Sequence, residues 1–340
     1  MEVMVIKLRS PYPWFGGKST IASAVWRRLG NVRNFVEPFF GSGAMLLCRP
    51  TPFTGTETVN DLDGFVPNFW RAIQQAPDKV AAYADWPVSE LDLHARHLWL
   101  TNTGRTIVEQ LREDPAFFDA KIAGWWVWGI CQWIGSGWCE HPEWQQLPHL
   151  GNAGMGIHRP SQKLPHLGDA GRGERGYGHP QAQPEASLIA SNLDLLEYFR
   201  LLSGRLRGVR VCCGDWSRVC GPTPTVKQGL TAVFLDPPYS QEERDGELYA
   251  IETPVAADVR AWCMEVGTDK RLRIALCGYA DEGHETLESL GWDCLEWKAR
   301  GGYGSQGNGT AGRDNAKRER IWFSPTCKIE PGLFNQSEVS

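Results

Sequence analysis

The 340-residue chain has no unbroken apolar run of the roughly 18 to 20 residues that a membrane helix needs, which argues against an apolar membrane span. The opening stretch Met1 to Ser10 also lacks the apolar core of a secretion signal, so a soluble intracellular protein is expected. Framework spacing is missing from its ten cysteines, among them the adjacent Cys212-Cys213 and the isolated Cys48 and Cys327. A chain this long needs no disulfide staples, and reduced thiols are expected. No C-x2-C pair is present, and Cys131, Cys139, His141 and His149 are irregularly spaced, so no metal is expected. Positive charge is scarce: 35 Lys and Arg against 40 Asp and Glu leave a net charge of −5, the wrong sign for a protein that coats nucleic acid nonspecifically. A local basic surface stays open, with Arg205, Arg207, Arg210, Arg313, Lys317, Arg318 and Arg320 as candidates, although each alone also reads as a solvated surface charge. A full G-x-G-x-x-G and a P-loop lysine are both absent, which makes NAD and ATP poor fits.

What is present alternates. A short apolar strand at Asn34 to Val36 runs into Gly41-Ser42-Gly43 and then a helix from Ala44 to Cys48. A second strand ends at Asn60-Asp61, and from Phe65 to Gln75 the residues Phe65, Phe69, Ala72 and Ile73 share one helical face. The alternation resumes with a helix near Leu188 to Leu206, strands at Val209 to Cys213 and Ala232 to Leu235, a helix at Val255 to Val266 and a strand at Arg273 to Cys277. A helix at Glu282 to Leu290 and strands at Cys294 to Lys298 and Arg320 to Phe323 complete it. The expected fold is α/β, a doubly wound Rossmann-like sheet with extra strands at one edge.

Residues 78–186 differ in composition and read as an insertion, helical in its first part and rich in glycine and histidine in its second. Six of the sixteen tryptophans fall between Trp125 and Trp144, and Leu147 to Gly154 recurs as Leu164 to Gly171. Two copies are too few for a solenoid; aromatic, histidine and glycine residues suit contact with bases or phosphates, and a surface loop is the plainer alternative. Residues 1–77 and 187–328 then form the catalytic and cofactor-binding unit, and 329–340 a tail.

Four motifs carry chemistry. Asp236-Pro237-Pro238-Tyr239 directly follows the apolar strand Val233-Phe234-Leu235, at the edge where an open α/β sheet binds ligands. It offers a carboxylate and a carbonyl to accept both hydrogens of an amino group, a stiff di-proline to fix them, and a ring to stack on a planar base. Phe35-Val36-Glu37-Pro38-Phe39-Phe40-Gly41-Ser42-Gly43 lets backbone approach a ligand at a helix head. Asp61 can accept ribose hydroxyls or cap the next helix, and Trp14-Phe15-Gly16-Gly17-Lys18 offers an aromatic face and a cation.

In this order the four resemble the Dam-like, α-group N6-adenine-specific DNA methyltransferases. The resemblance implies a Rossmann-like S-adenosylmethionine-dependent fold with an inserted target-recognition domain, S-adenosyl-L-methionine as cofactor, double-stranded DNA as partner, no membrane, and cytoplasmic location in a bacterium or phage-infected cell. A cognate restriction enzyme is a partner such enzymes can have. It further implies that Trp14, Gly16, Gly17, Lys18, Asp61 and Asp236 contact the cofactor over a floor of Glu37, Pro38, Phe39, Gly41, Ser42 and Gly43, and that Asp236, Pro237, Pro238 and Tyr239 are catalytic. Asp215, after the strand Val209 to Cys213, reads equally as a contact to the cofactor adenine and as a helix cap beside Trp216. The C-terminal stretch from Gly301 to Arg320 is expected to touch DNA phosphates. Cytosine-N4 methylation and an inactive DNA-binding relative remain the alternatives.

Overall fold

The computed structural model describes residues 8–14, 17–114, 116–133, 138–139, 194–238, 254–280, 282–297 and 318–328. Seven strands form one sheet in the order β3-β2-β1-β4-β5-β7-β6. They are β1 (Asn34–Glu37), β2 (Thr56–Asp61), β3 (Val209–Cys213), β4 (Thr231–Leu235), β5 (Leu272–Tyr279), β6 (Asp293–Glu296) and β7 (Glu319–Phe323). The first five run parallel, and β7 runs antiparallel between β5 and β6. This is the expected Rossmann-like sheet with its extra strands at one edge. The order reverses between β1 and β4, and that switch point opens a crevice at their carboxyl ends.

Side-chain alternation explains why the sheet is covered on both faces. Phe35, Phe234, Ala275, Cys277, Ile321 and Phe323 join one core cluster, whereas their neighbours Val36, Val233, Leu235, Ile274, Leu276 and Trp322 join the other. Every residue of β1 and β4 is buried, as a parallel strand between two helical layers requires. On the first face lie α1 (Ala22–Leu29), α2 (Ala44–Leu47), α3 (Phe65–Gln75) and α8 (Leu195–Leu206), and on the second α9 (Ser217–Cys220) and α10 (Pro254–Val266). Helix α3 has the bounds its apolar period predicts, and Phe65, Phe69, Ala72 and Ile73 are all buried. The expected helix at Glu282 to Leu290 is instead a 3-10 segment, His284–Leu290, entered and left through left-handed glycines, Gly283 and Gly291. Of the helix expected from Leu188, the described part begins where the Asp194 side chain accepts the Glu197 amide as an N-cap.

The first part of the segment beyond residue 77 is helical: α4 (Pro77–Ala84), α5 (Glu90–Asn102), α6 (Ile107–Glu113) and α7 (Ala120–Gln132). Helix α7 packs on α3 and α4, and its Trp126 meets Tyr12 edge-on at 5.0 Å and stacks on Phe65 at 6.4 Å. These helices share the first-face core with the sheet. The repeated Leu-Pro-His-Leu-Gly segments, the C-terminal stretch at 301–317, Arg313 and Lys317 lie outside the described residues. All ten cysteines are unbridged. Among the described residues no helix is long and apolar enough to cross a membrane.

Candidate active site

The glycine loop after β1 gives the crevice its floor. Gly41 and Gly43 have φ of +46° and +71°, conformations open to glycine and strained for other residues. A β-carbon on Gly41 would stand 2.4 Å from Trp14 Nε1, so the indole lies directly on the backbone here. From below, the buried Tyr12 hydroxyl donates to the Gly41 carbonyl at 2.7 Å, and Trp70 Nε1 donates to the same oxygen at 3.1 Å. The loop is pinned from both sides before any ligand arrives.

Asp61, at the end of β2, accepts the Gly41 amide at 2.9 Å and the Asp63 amide at 3.0 Å. Burial pushes its pKa up to about 7, against the pull of those amides. Next to it, the buried Asn60 amide donates to the carbonyls of Pro38 and Gly214 at 3.0 and 2.9 Å, tying the turns after β1 and β3 together. Asn60 is thus a positioning residue that reasoning from the motif alone had only quoted beside Asp61.

Glu37 is buried at the end of β1, and its Oε2 has no hydrogen-bond partner among the described residues. Desolvation, followed by the charge of Asp236, raises its pKa well above the carboxylate range. Pro38 and Ser42 are buried and Phe39 is half-buried, stacked 6.3 Å from Trp216.

Asp236 and Pro237 leave the carboxyl end of β4, beside β1 at the switch point, and Pro238 is exposed. Lys18 Nζ reaches Asp236 Oδ1 at 3.0 Å and Glu319 Oε2 at 3.7 Å. Burial opposes the lysine charge, but Asp236 leads the opposing groups, and the net effect raises its pKa. Glu319, on β7, is pushed up to about 7 by burial despite Lys18. The sequence reading missed Glu319, because in the run Lys317 to Arg320 an acid looks like one more solvated charge.

Trp14, Lys18, Glu37, Asp61 and Asp236 are therefore gathered around one crevice, with the glycine loop between them. Gly17, whose amide donates to the Trp14 carbonyl at 3.2 Å, completes the turn into α1. Gly16 and Tyr239 lie outside the described residues. Asp215 is exposed and its Oδ1 accepts the Ser217 amide at 2.9 Å, an Asx-type turn leading into α9, whose N-cap is Trp216 and not Asp215. Among the basic candidates, Arg207 and Arg210 are exposed, whereas Arg205 grips the buried Glu57 with two donors at 2.7 and 2.8 Å and serves the core. Arg320 pairs with Glu296 at 3.3 Å, and Arg318 lies over the Tyr279 ring at 5.4 Å.

Comparison with curated proteins gives no match. A family model does match: that of the D12 class N6 adenine-specific DNA methyltransferases, over residues 14–97, from Trp14 through the glycine loop and Asp61 into α5. Over those residues, about a quarter of its length, the chain is similar to the D12 class N6 adenine-specific DNA methyltransferases, in keeping with the Dam-like family that its motifs resemble.

Proposed function

We propose that the chain is a DNA adenine-N6 methyltransferase that uses S-adenosyl-L-methionine and acts on an adenine flipped out of the duplex. One observation carries this reading. Asp236, heading a motif built to hold an amino group, stands at the carboxyl end of the central strand β4, tied at 3.0 Å to Lys18 of the segment that opens the family match.

The residues present fit the cofactor. Glu37 Oε2, buried and without a partner among the described residues, suits a cationic amino group, since leaving such an acceptor unmet costs about 1–3 kcal/mol. The glycine loop lets a ligand reach backbone, Trp14 supplies an apolar wall, and Asp61 suits ribose hydroxyls. Bound there, S-adenosylmethionine supplies an electrophilic methyl group on sulfur. Asp215, in the turn before α9, belongs to the cofactor-adenine side of the pocket in this reading only by its place after β3.

The chain's own residues orient the other reactant. A stacked and paired adenine amine is out of reach, hence the flip. Asp236 and the Pro237 carbonyl accept its two hydrogens, which aligns the nitrogen lone pair with the methyl carbon, and Tyr239 takes the base face. Orientation and fixed charge are the main catalytic terms. The nitrogen becomes acidic only after gaining the methyl group and then loses a proton to water or a neighbouring carboxylate, so Asp236 need not be a strong base. Residues 78–186 are proposed to recognise the target, their first part built on the core of the catalytic unit formed by 1–77 and 187–328.

The test is incubation of the purified chain with S-adenosylmethionine and unmethylated mixed-sequence DNA, followed by mass detection of methylated nucleosides. N6-methyladenine that disappears in Asp236→Ala is the expected result. N4-methylcytosine moves the substrate to cytosine, and cofactor binding without any methylated base refutes the activity on DNA.

A further inference from the structure

Glu319 stands behind the proposed site rather than in it. It opens β7, where it pairs in register with Tyr279 of β5, so its backbone is fixed by the sheet. Its side chain is 6% exposed, against 20% for Asp236 and 3% for Lys18. The lysine thus separates a carboxylate that faces the crevice from one that does not. The groups facing Glu319 are Lys18, Asp236 and Tyr279, with Cys277 beside the lysine on β5 and the Trp297 ring 6.0 Å from Lys18 Nζ. Glu37 also lies within electrostatic reach of Asp236 and of Cys277. Arg320 Nη1 donates to the Glu319 backbone carbonyl at 3.0 Å, while the side-chain Oε2 lies 3.7 Å from the Lys18 ammonium.

One counter-ion is enough to neutralise a buried lysine, and burying a second carboxylate costs free energy. We propose that Glu319 is a positioning residue for methyl transfer: by sharing the Lys18 ammonium, it holds that charge in place and leaves Asp236 a strong acceptor for the target amine. This inference rests on the methyltransferase reading above.

The mechanism follows from the charges. With Glu319 ionised, the ammonium is divided between two carboxylates. With Glu319 protonated, the whole of that positive charge falls on Asp236, which then accepts the amine hydrogens less well. Because Glu319 titrates at about 7, the transfer step should speed up as pH rises through neutrality. Asp61 titrates in the same range but touches only the cofactor side, so its effect belongs in binding.

The experiment is a single-turnover measurement of DNA methylation at saturating S-adenosylmethionine, from pH 6 to 9, on the wild type and on Glu319→Gln, with thermal unfolding of both. Expected is a wild-type rate that rises through about pH 7, and a Glu319→Gln rate that is lower by on the order of 10²-fold and flat, with KM for the cofactor little changed. A wild-type rate flat across neutrality overturns the proposal even if the variant does not fold. A folded Glu319→Gln that keeps the wild-type rate and pH limb overturns it while leaving the methyltransferase reading intact. If the wild type methylates no base at all, that reading fails and this proposal fails with it.

Discussion

Lys18 and Asp236 lie more than 200 residues apart in sequence and meet as an ion pair of 3.0 Å between a buried lysine and a part-exposed carboxylate. The pair couples the turn into α1 to the turn after β4, across the switch point. Stability should register it directly. Lys18→Gln strands Asp236 and Glu319 without their cation, and Asp236→Asn strands the lysine, so each single change is destabilising. The double variant should cost less than the sum of the two, with a coupling of about 1–3 kcal/mol in chemical denaturation. Strict additivity would mean that the two side chains do not interact.

In the proposed site, Asp61 should make cofactor affinity depend on pH. Its pKa in the fold is about 7, raised by burial, and the ionised form is the better acceptor for ribose hydroxyls. Affinity for S-adenosylmethionine, read by calorimetry, should increase from pH 6 to pH 8. Stability runs the other way. The folded chain keeps a proton that the unfolded chain releases near its ordinary value of 3.8, so this group's contribution is present below that value and lost as pH rises through about 7. Asp61→Asn should flatten both trends, and an affinity that stays independent of pH in the wild type would remove Asp61 from the cofactor site.

How much of this was legible in the sequence follows from the range of each signal. Helix α3 and strand β3 have the bounds that local pattern gives, because a 3.6-residue stripe or a short apolar run between turns is complete within its own window. The places of Asp61 and Asp236, though not their roles, were legible because their motif letters sit at the ends of β2 and β4. Glu319 was not, since its meaning comes from the antiparallel β7 being placed beside β5, a pairing with no local trace. Arg205 was misjudged as a surface cation for the same reason: its partner, Glu57, lies on β2. The helical part of 78–186 was read correctly as helical, but composition gave no sign that Trp126 would pack against Tyr12 in the shared core.

Glu57 is a second place where long-range charge should govern stability. It is 4% exposed and held by Arg49 at 3.0 Å and by Arg205 at 2.7 Å, while Arg49 also donates to the Val32 carbonyl. Glu57→Ala leaves two guanidinium groups, one of them fully interior, without a counter-ion. A loss of about 3–5 kcal/mol is expected, measured by urea unfolding. A loss under about 1 kcal/mol would show the cluster to be solvated, as ordinary surface pairs are.

The strictest test of the pocket floor is Gly41→Ala. Its φ of +46° disfavours a side chain, and the new methyl would lie 2.4 and 2.8 Å from Trp14 Nε1 and Cδ1. The ring must therefore move, and it is the wall of the proposed cofactor site. Tyr12 and Trp70 hold the Gly41 carbonyl from below, so the backbone cannot retreat without breaking two buried hydrogen bonds. The fold should lose only about 1–2 kcal/mol, the cost of a strained backbone residue. Cofactor affinity should fall by at least about tenfold, the equivalent of 1.4 kcal/mol. Denaturation and cofactor titration of the one variant separate the two effects. Unchanged affinity in a folded Gly41→Ala would mean that Trp14 and the glycine loop do not enclose the cofactor, and the site would have to be sought elsewhere along the crevice.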